Sequence, residues 1–592
     1  MKVNILKYTI AAVAAVFPLA SAAQNLDPTV VVNRAYEGKL LEVHKPAIEM
    51  AVPDSVKVFD LDFDYSVFEN PYKGSYEFKP YQLLLKPVSS DVERSKFWLN
   101  AGAGYSLYPE LDLVWTPVQK GAFKMNVYAD YGAYFGKYRT ITPQLAEGTD
   151  NVYRLDRTAT ADGRTDLWNG YRMSAKAGVD GRYDWEKSAF VFDLGYSGVS
   201  SDQREAMKSR FYNALDVKLD LLSKPRGKEY FHYDLGVDYR YGNDRLDNRY
   251  DKPGTVSEHD FSFDATMGSV LSSSDKVLFD LGFDALGYSG ALEAAVSQVS
   301  LVPHYVLRRG AWNLDLGLRL AKIFRINKES QCYNAKEQVV YPAIKIKYYA
   351  VPDALAIYFN AEGGNTLDTY SSLIERNNFV APDFAYSMSV VGDRYAFGLL
   401  DATVERVALK VGLDGRISKR FSYDVHGGCT VYASGLLDAV IPANSGTLEC
   451  LPGYGYASYS KIFVGLDWNW HAERIAFDGS VTFTEAVGLE DAYSRFAPAA
   501  FTGDVELEYN WNKRVYAGMD CVFSTARKAA VGNDHYMVLP GFADLGVYGE
   551  YALNRKISFW LRGGNLMNMT VQYSPLYAER GINFTAGIRL KL

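Results

Sequence analysis

The chain has 592 residues, a formal net charge of -7 and a hydrophobic content of 48%, and it contains 45 Tyr and 31 Phe. The mild acidity argues against a nucleic-acid partner, because nucleic acids select basic surfaces. The tyrosine content is high for a cytosolic enzyme and is typical of a membrane β-barrel with aromatic girdles at both interfaces.

Residues 1–23 have the three parts of a secretory signal peptide. Lys2 and Lys7 supply the charged start, residues 8–19 form a short apolar core, and Ala-Ser-Ala at 20–22 is suited to cleavage. The core is too short to cross a bilayer, and no apolar run of helix-spanning length follows it. We therefore expect an exported protein that enters a membrane only as a closed barrel.

Residues 24–94 form an N-terminal segment. Near its start lies a short apolar run of Thr29, Val30, Val31 and Val32. This run resembles the TonB box that precedes the plug domain in TonB-dependent outer-membrane receptors, and the resemblance implies TonB as a partner. An extended leader is the alternative interpretation.

In the receptor family a plug domain follows the box, but here only about seventy residues precede the first barrel strand. Proline breaks at Pro71 and Pro80 and the small size predict no folded plug with its own core. A large barrel without a plug would leak, so something must occlude it. The candidates are the aromatic segment 59–94, inward-folded loops such as 364–400, and a partner protein. We favour the N-terminal segment with help from the loops.

From residue 95 to residue 592, apolar and polar side chains alternate in segment after segment. In one such segment Leu314, Leu316, Leu318 and Leu320 alternate with Asn313, Asp315, Gly317 and Arg319. A period of two predicts strands with one apolar and one polar face. A basic residue at the lipid midplane costs about 2–4 kcal/mol, and the charges avoid the apolar face. A soluble sandwich or propeller, the alternative, would turn its polar faces outward.

The connections between these strands alternate in length. Short turns are predicted at 119–121, 185–187, 225–227, 272–274, 308–310, 352–353, 418–420, 472–473, 512–513 and 554–555. Mostly longer connections are predicted at 137–169, 200–206, 242–255, 327–337, 364–400, 436–453, 487–495, 527–538 and 568–580. Short periplasmic turns and long outer loops are typical of the outer membrane of a Gram-negative bacterium. We therefore predict an all-β fold, a transmembrane antiparallel β-barrel of about 22 strands.

The C-terminal hairpin carries a second resemblance to TonB-dependent receptors. The matching residues are Gly564, Asn565, Leu566, Asn568, Tyr573, Tyr577, Arg580, Gly581, Asn583 and Phe584. The last residue, Leu592, departs from the aromatic residue that usually ends these chains. The whole chain is similar to a plug-poor, Bacteroidetes-type subgroup of these receptors.

A search for chemistry finds no catalytic residue, no cofactor-binding motif and no metal-ligand spacing. The seven histidines are isolated in sequence, and we expect no enzyme. Candidate lumen-lining residues are Asp234, Asp238, Asp280, Asp284, Asp315 and Arg319, which either favour cations or, in the interpretation we prefer, neutralise one another. Whether Cys332 and Cys450 pair in an oxidising compartment stays open.

Two functions fit the sequence. The first is a solute-uptake receptor or channel in contact with outer-membrane lipids, coupled to TonB or to a surface lipoprotein. The second is a non-transporting structural barrel, an accessory subunit of a surface complex or of the outer-membrane protein assembly machinery. No motif distinguishes them.

Overall fold

The computed structural model describes residues 96–592, with gaps at 106, 119–120, 147, 150–151, 157–166, 203–208, 226–228, 247–253, 291, 327–331, 336, 381–399, 445–446, 490–493 and 532–534. The signal peptide, the N-terminal segment and the run Thr29–Val32 lie outside the described residues, so the predicted division at residues 23 and 94 stays a prediction. No described helix combines the length and apolar character needed to cross a membrane.

Twenty-two strands form a closed antiparallel barrel, which confirms the predicted fold. They are β1 (Phe97–Gly104), β2 (Tyr108–Val118), β3 (Phe123–Arg139), β6 (Leu167–Asp184), β7 (Ser188–Ser201), β8 (Arg210–Ser223), β9 (Tyr230–Leu246), β10 (Gly254–Val270), β11 (Asp275–Gly290), β12 (Ala294–Arg309), β13 (Trp312–Arg325), β14 (Val340–Val351), β15 (Leu355–Leu367), β16 (Ala402–Ser418), β17 (Phe421–Asn444), β18 (Thr447–His471), β19 (Ile475–Val487), β20 (Phe501–Trp511), β21 (Val515–Ser524), β24 (Phe542–Ala552), β25 (Ile557–Gly564) and β26 (Asn583–Lys591). Four short strands lie in connections: β4 (Thr142–Leu145), β5 (Val152–Asp156), β22 (Arg527–Val531) and β23 (His535–Leu539).

The ring closes between its first and last strands. β1 pairs with β26 from Trp98 opposite Lys591 to Gly104 opposite Thr585. Beyond them, the backbone amides of Phe97 and Leu592 donate to each other's carbonyls at 2.9 and 2.8 Å. Closure leaves no unpaired sheet edge, which is the condition for a β-structure inside a bilayer.

The two faces of each strand separate as the alternation predicts. On β13 the side chains of Leu316, Leu318 and Leu320 are exposed, 37–45% of each, on one face. Asp315 on the other face accepts a hydrogen bond across the sheet from β12. The exposed apolar face is suited to lipid, and the polar face contains the charged pairs.

The connections follow the predicted alternation, with one correction. Short turns connect strands at the predicted positions. The predicted loop at 436–453 is wrong, because β17 and β18 continue as a long hairpin whose register still pairs Pro442 with Cys450. Beyond the ring the two strands pair mainly with each other, so their outer edges tolerate the prolines at 442 and 452.

At the end of the barrel opposite the short turns, the connections pair into a small loop sheet, made of β4, β5, β22, β23 and the end of β17. β5 pairs in parallel with β23, Val152 opposite Tyr536, and β22 pairs in parallel with β17, Ala530 opposite Ala439. Buried apolar side chains pack beneath it, among them Val440, Met537 and Leu539. Three distant parts of the chain are therefore joined across this end.

The Gly-Asn-Leu-x-Asn motif at the C-terminal hairpin is a turn organised by one side chain. Asn565 has a φ of +46°, in the left-handed region that asparagine tolerates, and it is 2% exposed. Its amide donates to the carbonyls of Met569 and Arg580 at 2.8 and 2.9 Å and accepts from the Met569 amide. These contacts fix the 565–582 connection over the barrel end.

Candidate functional site

The clearest candidate site is the end of the barrel covered by the connection between β15 and β16. The part of that connection at 368–380, here called the crossing segment, contains the helix α1 (Tyr370–Arg376). It contacts β3, β8, β9 and β10 on one side and β17 and β18 on the other. Because β3 and β17 lie almost opposite each other in the ring, the segment spans the lumen.

Local sequence explains why so short a helix forms. Thr369 is its N-cap: its hydroxyl accepts from the Ser372 amide at 3.1 Å, and Ser372 Oγ accepts from the Thr369 amide at 3.1 Å. Such a reciprocal box satisfies two amide donors that the first turn leaves free. Tyr370, Leu373 and Ile374 are buried and supply the apolar contacts that a seven-residue helix needs.

A buried ion pair holds one side of the crossing segment. Arg210 on β8 and Asp244 on β9 have side chains 1% and 0% exposed, with Nε and Oδ2 3.0 Å apart. Arg210 also donates from Nη1 to the Asn378 carbonyl at 3.0 Å, and the Tyr370 hydroxyl donates to Asp244 Oδ2 at 2.8 Å. The segment therefore adds one hydrogen bond to each of the two buried charges.

A second buried carboxylate accepts a hydrogen bond from the start of α1. Glu258 on β10 is 0% exposed and accepts from the hydroxyls of Tyr212 and Tyr288 at 3.3 and 3.2 Å. The amide of Ser371 donates to its Oε2 at 3.2 Å. Below it Arg240 faces Glu375 of α1 at 3.5 Å. Polar contacts therefore attach the helix to the wall on the β9–β10 side.

Aromatic rings attach the end of the crossing segment to the β3 side, and an ion pair attaches it to β17 on the opposite side. Phe379 stacks on Tyr577 with centroids 4.1 Å apart and an angle of 6° between the ring planes. The edge of Tyr138 on β3 meets Phe379 at 5.9 Å. Arg376 lies 3.7 Å from Asp438 on β17 and over the ring of Tyr454. Aromatic contacts of this geometry add about 0.5–1.5 kcal/mol each beyond area burial.

Two carboxylates lie at the ends of the β15–β16 connection, Asp368 directly after β15 and Asp401 directly before β16. Asp368 accepts from the Thr403 hydroxyl at 2.7 Å, and burial raises its pKa. Asp401 accepts from the amides of Ala335 and Ala402 at 3.0 and 2.8 Å, and burial raises its pKa to about 6. Both carboxyls therefore hold a proton more readily while the connection is packed in place.

At the other end of the barrel, near the short turns, a wide polar cavity of about 1090 Å³ opens. Acidic and basic side chains both line it, including Glu506, Glu508, Arg514, Glu550 and Arg589. Tyr548 donates to Glu508 at 2.6 Å, and Arg589 is paired with Glu550. Among the described residues, the crossing segment therefore spans one end of the lumen, whereas a polar cavity lies at the other end.

The structure places most of the predicted lumen residues in polar pairs. Asp238 lies 3.6 Å from Lys218, and Asp280 accepts from Thr266 at 2.7 Å. Asp284 is 3.4 Å from the Gln298 amide, and Asp315 is 2.7 Å from His304 Nδ1. Arg319 donates to the Gly363 carbonyl at 3.2 Å.

Asp234 lies on the same face of β9 as Asp238, and its Cα is opposite Leu222 and Thr266. These six residues lie on β9, β11 and β13. Asp280 and Asp315 share the partner His304, and the partners of the other paired residues are different.

Sequence reasoning missed the residues that hold the crossing segment: Arg210, Asp244, Glu258 and the helix itself. The signals were weak but present, since Thr-Tyr-Ser-Ser at 369–372 is a capping pattern. Arg210 and Asp244 also lie near strand ends beside the predicted long connections.

No protein-family model matches the sequence, and no curated protein matches it. Solved structures do match. The FrpB iron transporter from Neisseria meningitidis aligns with a TM-score of 0.61 at 10% identity, over 84% of this chain and 82% of its own. The fold is that of a TonB-dependent receptor barrel.

Two further receptor-like barrels align over the same 84% of this chain and 81% of their own. The siderophore receptor PiuA from Acinetobacter baumannii has a TM-score of 0.56 at 9% identity. The copper transporter OprC has a TM-score of 0.57 at 12% identity. Identities this low carry the fold alone.

Proposed function

We propose that the protein is an outer-membrane uptake receptor whose mouth is closed by the crossing segment and opens to admit a solute. The observation that carries this proposal is the path of residues 368–380 across the lumen, attached to opposite walls. A purely structural wall needs no cover, whereas a passage needs one to keep the membrane barrier intact.

The mode of attachment supports an opening cover. One side is held by polar contacts to Arg210, Asp244 and Glu258 and by ring stacking at Phe379, and the other by the ion pair of Arg376 with Asp438. Opening exposes these buried charges to water, which replaces the lost contacts, so each hydrogen bond to a charged group contributes a net of only about 1.5–3 kcal/mol. A ligand that binds the open form better therefore shifts the equilibrium.

The proposed location is the outer membrane of a Gram-negative bacterium, with the short turns in the periplasm and the loop sheet outside. TonB is the proposed energy-coupling partner, bound through Thr29–Val32. The barrels of similar fold are named for iron, siderophore and copper transport, so we propose a metal ion or its chelate as the first solutes to try.

A reversible lock tests the proposal. Ser201 Oγ donates to the Asn378 carbonyl at 3.0 Å, so the two residues are neighbours. Ser201→Cys with Asn378→Cys is designed to tie the crossing segment to β7 when oxidised, and the loss of two free thiols verifies that the disulfide has formed. Cells that carry the double variant should stop accumulating labelled ferric siderophore or copper when the two cysteines are oxidised. Accumulation should resume after the disulfide is reduced. The two single cysteine variants are the matched controls.

The alternative function, a non-transporting accessory barrel, makes the opposite prediction. Deleting the gene would leave accumulation of every labelled solute unchanged and lower the amounts of other outer-membrane proteins. Pull-down from native membranes would then return the assembly machinery. That combination would overturn the uptake proposal.

A further inference from the structure

Near the short-turn end of the lumen, three carboxylates lie side by side on neighbouring strands. Asp414 on β16 is directly opposite Asp424 on β17, which is directly opposite Asp467 on β18. Like charges directly opposite one another destabilise a sheet. Lys347 lies 2.5 Å from Asp414 and neutralises it. Among the described residues, the only basic side chain within ion-pair distance of Asp424 or Asp467 is that of His426.

The contacts of His426 are unlike those of an ordinary buried histidine. Its side chain is 10% exposed, and its Nδ1 lies 3.5 Å from Asp424 Oδ1 and 3.6 Å from Asp467 Oδ2. Both separations are too long for good hydrogen bonds, and Nδ1 is buried with no hydrogen-bond partner among the described residues. One nitrogen therefore faces two carboxylates across a gap.

The gap has the dimensions of a small cation. In a tetrahedral site with metal–ligand bonds of about 2.1 Å, neighbouring ligand atoms are separated by about 3.4–3.6 Å. The nitrogen and the two oxygens all lie within 4.8 Å of one another. Imidazole nitrogen with carboxylate oxygens is a donor set that suits divalent zinc and its neighbours.

Neighbouring residues fix the orientation of Asp424 and leave space for the ring of His426. The Tyr358 hydroxyl donates to both oxygens of Asp424, at 2.8 and 3.0 Å, which fixes the orientation of that carboxylate. Gly465 lies beneath the imidazole, and a Cβ at that position would be 2.4 Å from His426 Nε2. Glycine there leaves the ring the space to aim Nδ1 between the acids.

We propose that Asp424, His426 and Asp467 bind one divalent transition-metal ion of the zinc type on the lumen wall. Asp467 is half exposed, so a fourth position faces the lumen and takes water or a passing ligand. The inference rests on this geometry and does not depend on the proposed uptake function.

His304 supplies an internal control, because it also lies between two aspartates of the lumen. Its Nδ1 is 2.7 Å from Asp315, whereas its Nε2 is 3.5 Å from Asp280. The two acids lie at opposite nitrogens, so no single point is shared by all three groups. His304→Gln should therefore leave zinc binding unchanged.

The test is equilibrium dialysis of the purified full-length barrel in detergent against Zn²⁺, with the bound metal counted. The wild-type protein should bind an ion that His426→Gln and Asp467→Asn each release, with affinity falling at least about tenfold. Gly465→Ala, which keeps all three ligands, should weaken binding in the same direction. Heat-dependent gel mobility checks that each variant is a folded barrel.

Cobalt provides a second readout, because Co²⁺ in a tetrahedral site absorbs visible light strongly. The absorption should appear with wild type and with His304→Gln, and it should be absent with His426→Gln. Equal zinc binding by wild type and His426→Gln, or equal losses in the His304 and His426 variants, would overturn the site.

Discussion

At the scale of single residues, the buried charges beneath the crossing segment are the most sensitive positions. Arg210→Ala leaves Asp244 buried without its cation, and breaking such a pair costs about 3–5 kcal/mol. We expect amide hydrogen exchange in residues 370–380 to accelerate strongly while the barrel strands stay protected. The matched control is Arg210→Met with Asp244→Leu, which removes both charges and should exchange more slowly than the single variant.

A pH effect follows from Asp401. Its carboxyl has a pKa of about 6 in the packed connection because of burial, against an ordinary value of 3.8 in water. The packed form therefore binds the proton more tightly than the opened form. The packed form becomes more stable relative to the opened form as the pH falls from about 6 toward 3.8, and this stabilisation is absent above pH 6. Protease cleavage in the 368–401 connection should be slower at pH 5 than at pH 8.

Asp401→Asn removes the titrating group and is the control for that measurement. The variant should show a flatter pH dependence between 5 and 8. Burial raises the pKa of Asp368 as well, so some dependence in the same direction should remain. Faster cleavage at pH 5 than at pH 8 in the wild type would contradict the sign.

At the scale of elements, the crossing segment is expected to be the cover of the lumen. Replacing residues 369–379 with a flexible Gly-Ser linker removes α1 and its wall contacts. Conductance of the purified barrel in planar bilayers should rise, and cells should become sensitive to large antibiotics. Deleting residues 55–90 gives the comparison that tests the predicted role of the N-terminal segment.

If only the N-terminal deletion raises conductance, the crossing segment does not seal the barrel. If both changes raise it, the two parts share the lumen, as the sequence led us to expect. An intact protein with a large, steady conductance would exclude self-occlusion by either part.

The register of a strand can be tested at adjacent positions. Leu316 is 41% exposed on the outer face of β13, and an arginine there costs about 2–4 kcal/mol in lipid. We expect Leu316→Arg to lower the yield of membrane-inserted protein. Asp315→Asn, on the opposite face, keeps an acceptor for His304 and should insert normally. A one-residue register error would reverse these results.

These elements also show what sequence could predict. Strict alternation around Leu316 gave the strand, its faces and the turn positions, because lipid imposes that period on every strand. The crossing segment was harder, since a seven-residue helix has too few turns to show a period. The contact of Phe379 with Tyr577 joins residues far apart in sequence, and no local signal reports such a pair.

At the scale of the whole molecule, orientation is the main prediction. The long connections, including the one near Thr149, are expected outside the cell, and the short turn at Gly310 is expected in the periplasm. An epitope tag at Thr149, which is exposed, should be labelled on intact cells. A tag at Gly310 should be labelled only after the outer membrane is permeabilised, and the opposite pattern would reverse the topology.

The loop sheet has a consequence for the order of assembly. Its strands and the neighbouring contacts join remote parts of the chain, as in the hydrogen bond from Arg139 to Thr570, which are 431 residues apart. Contacts of such separation form late, because the chain entropy between them must be lost first. The pairing of β1 with β26 joins residues still further apart in the chain. We therefore expect ring closure and the joining of the loops to be the last steps of folding, with the barrel permeable until both are complete.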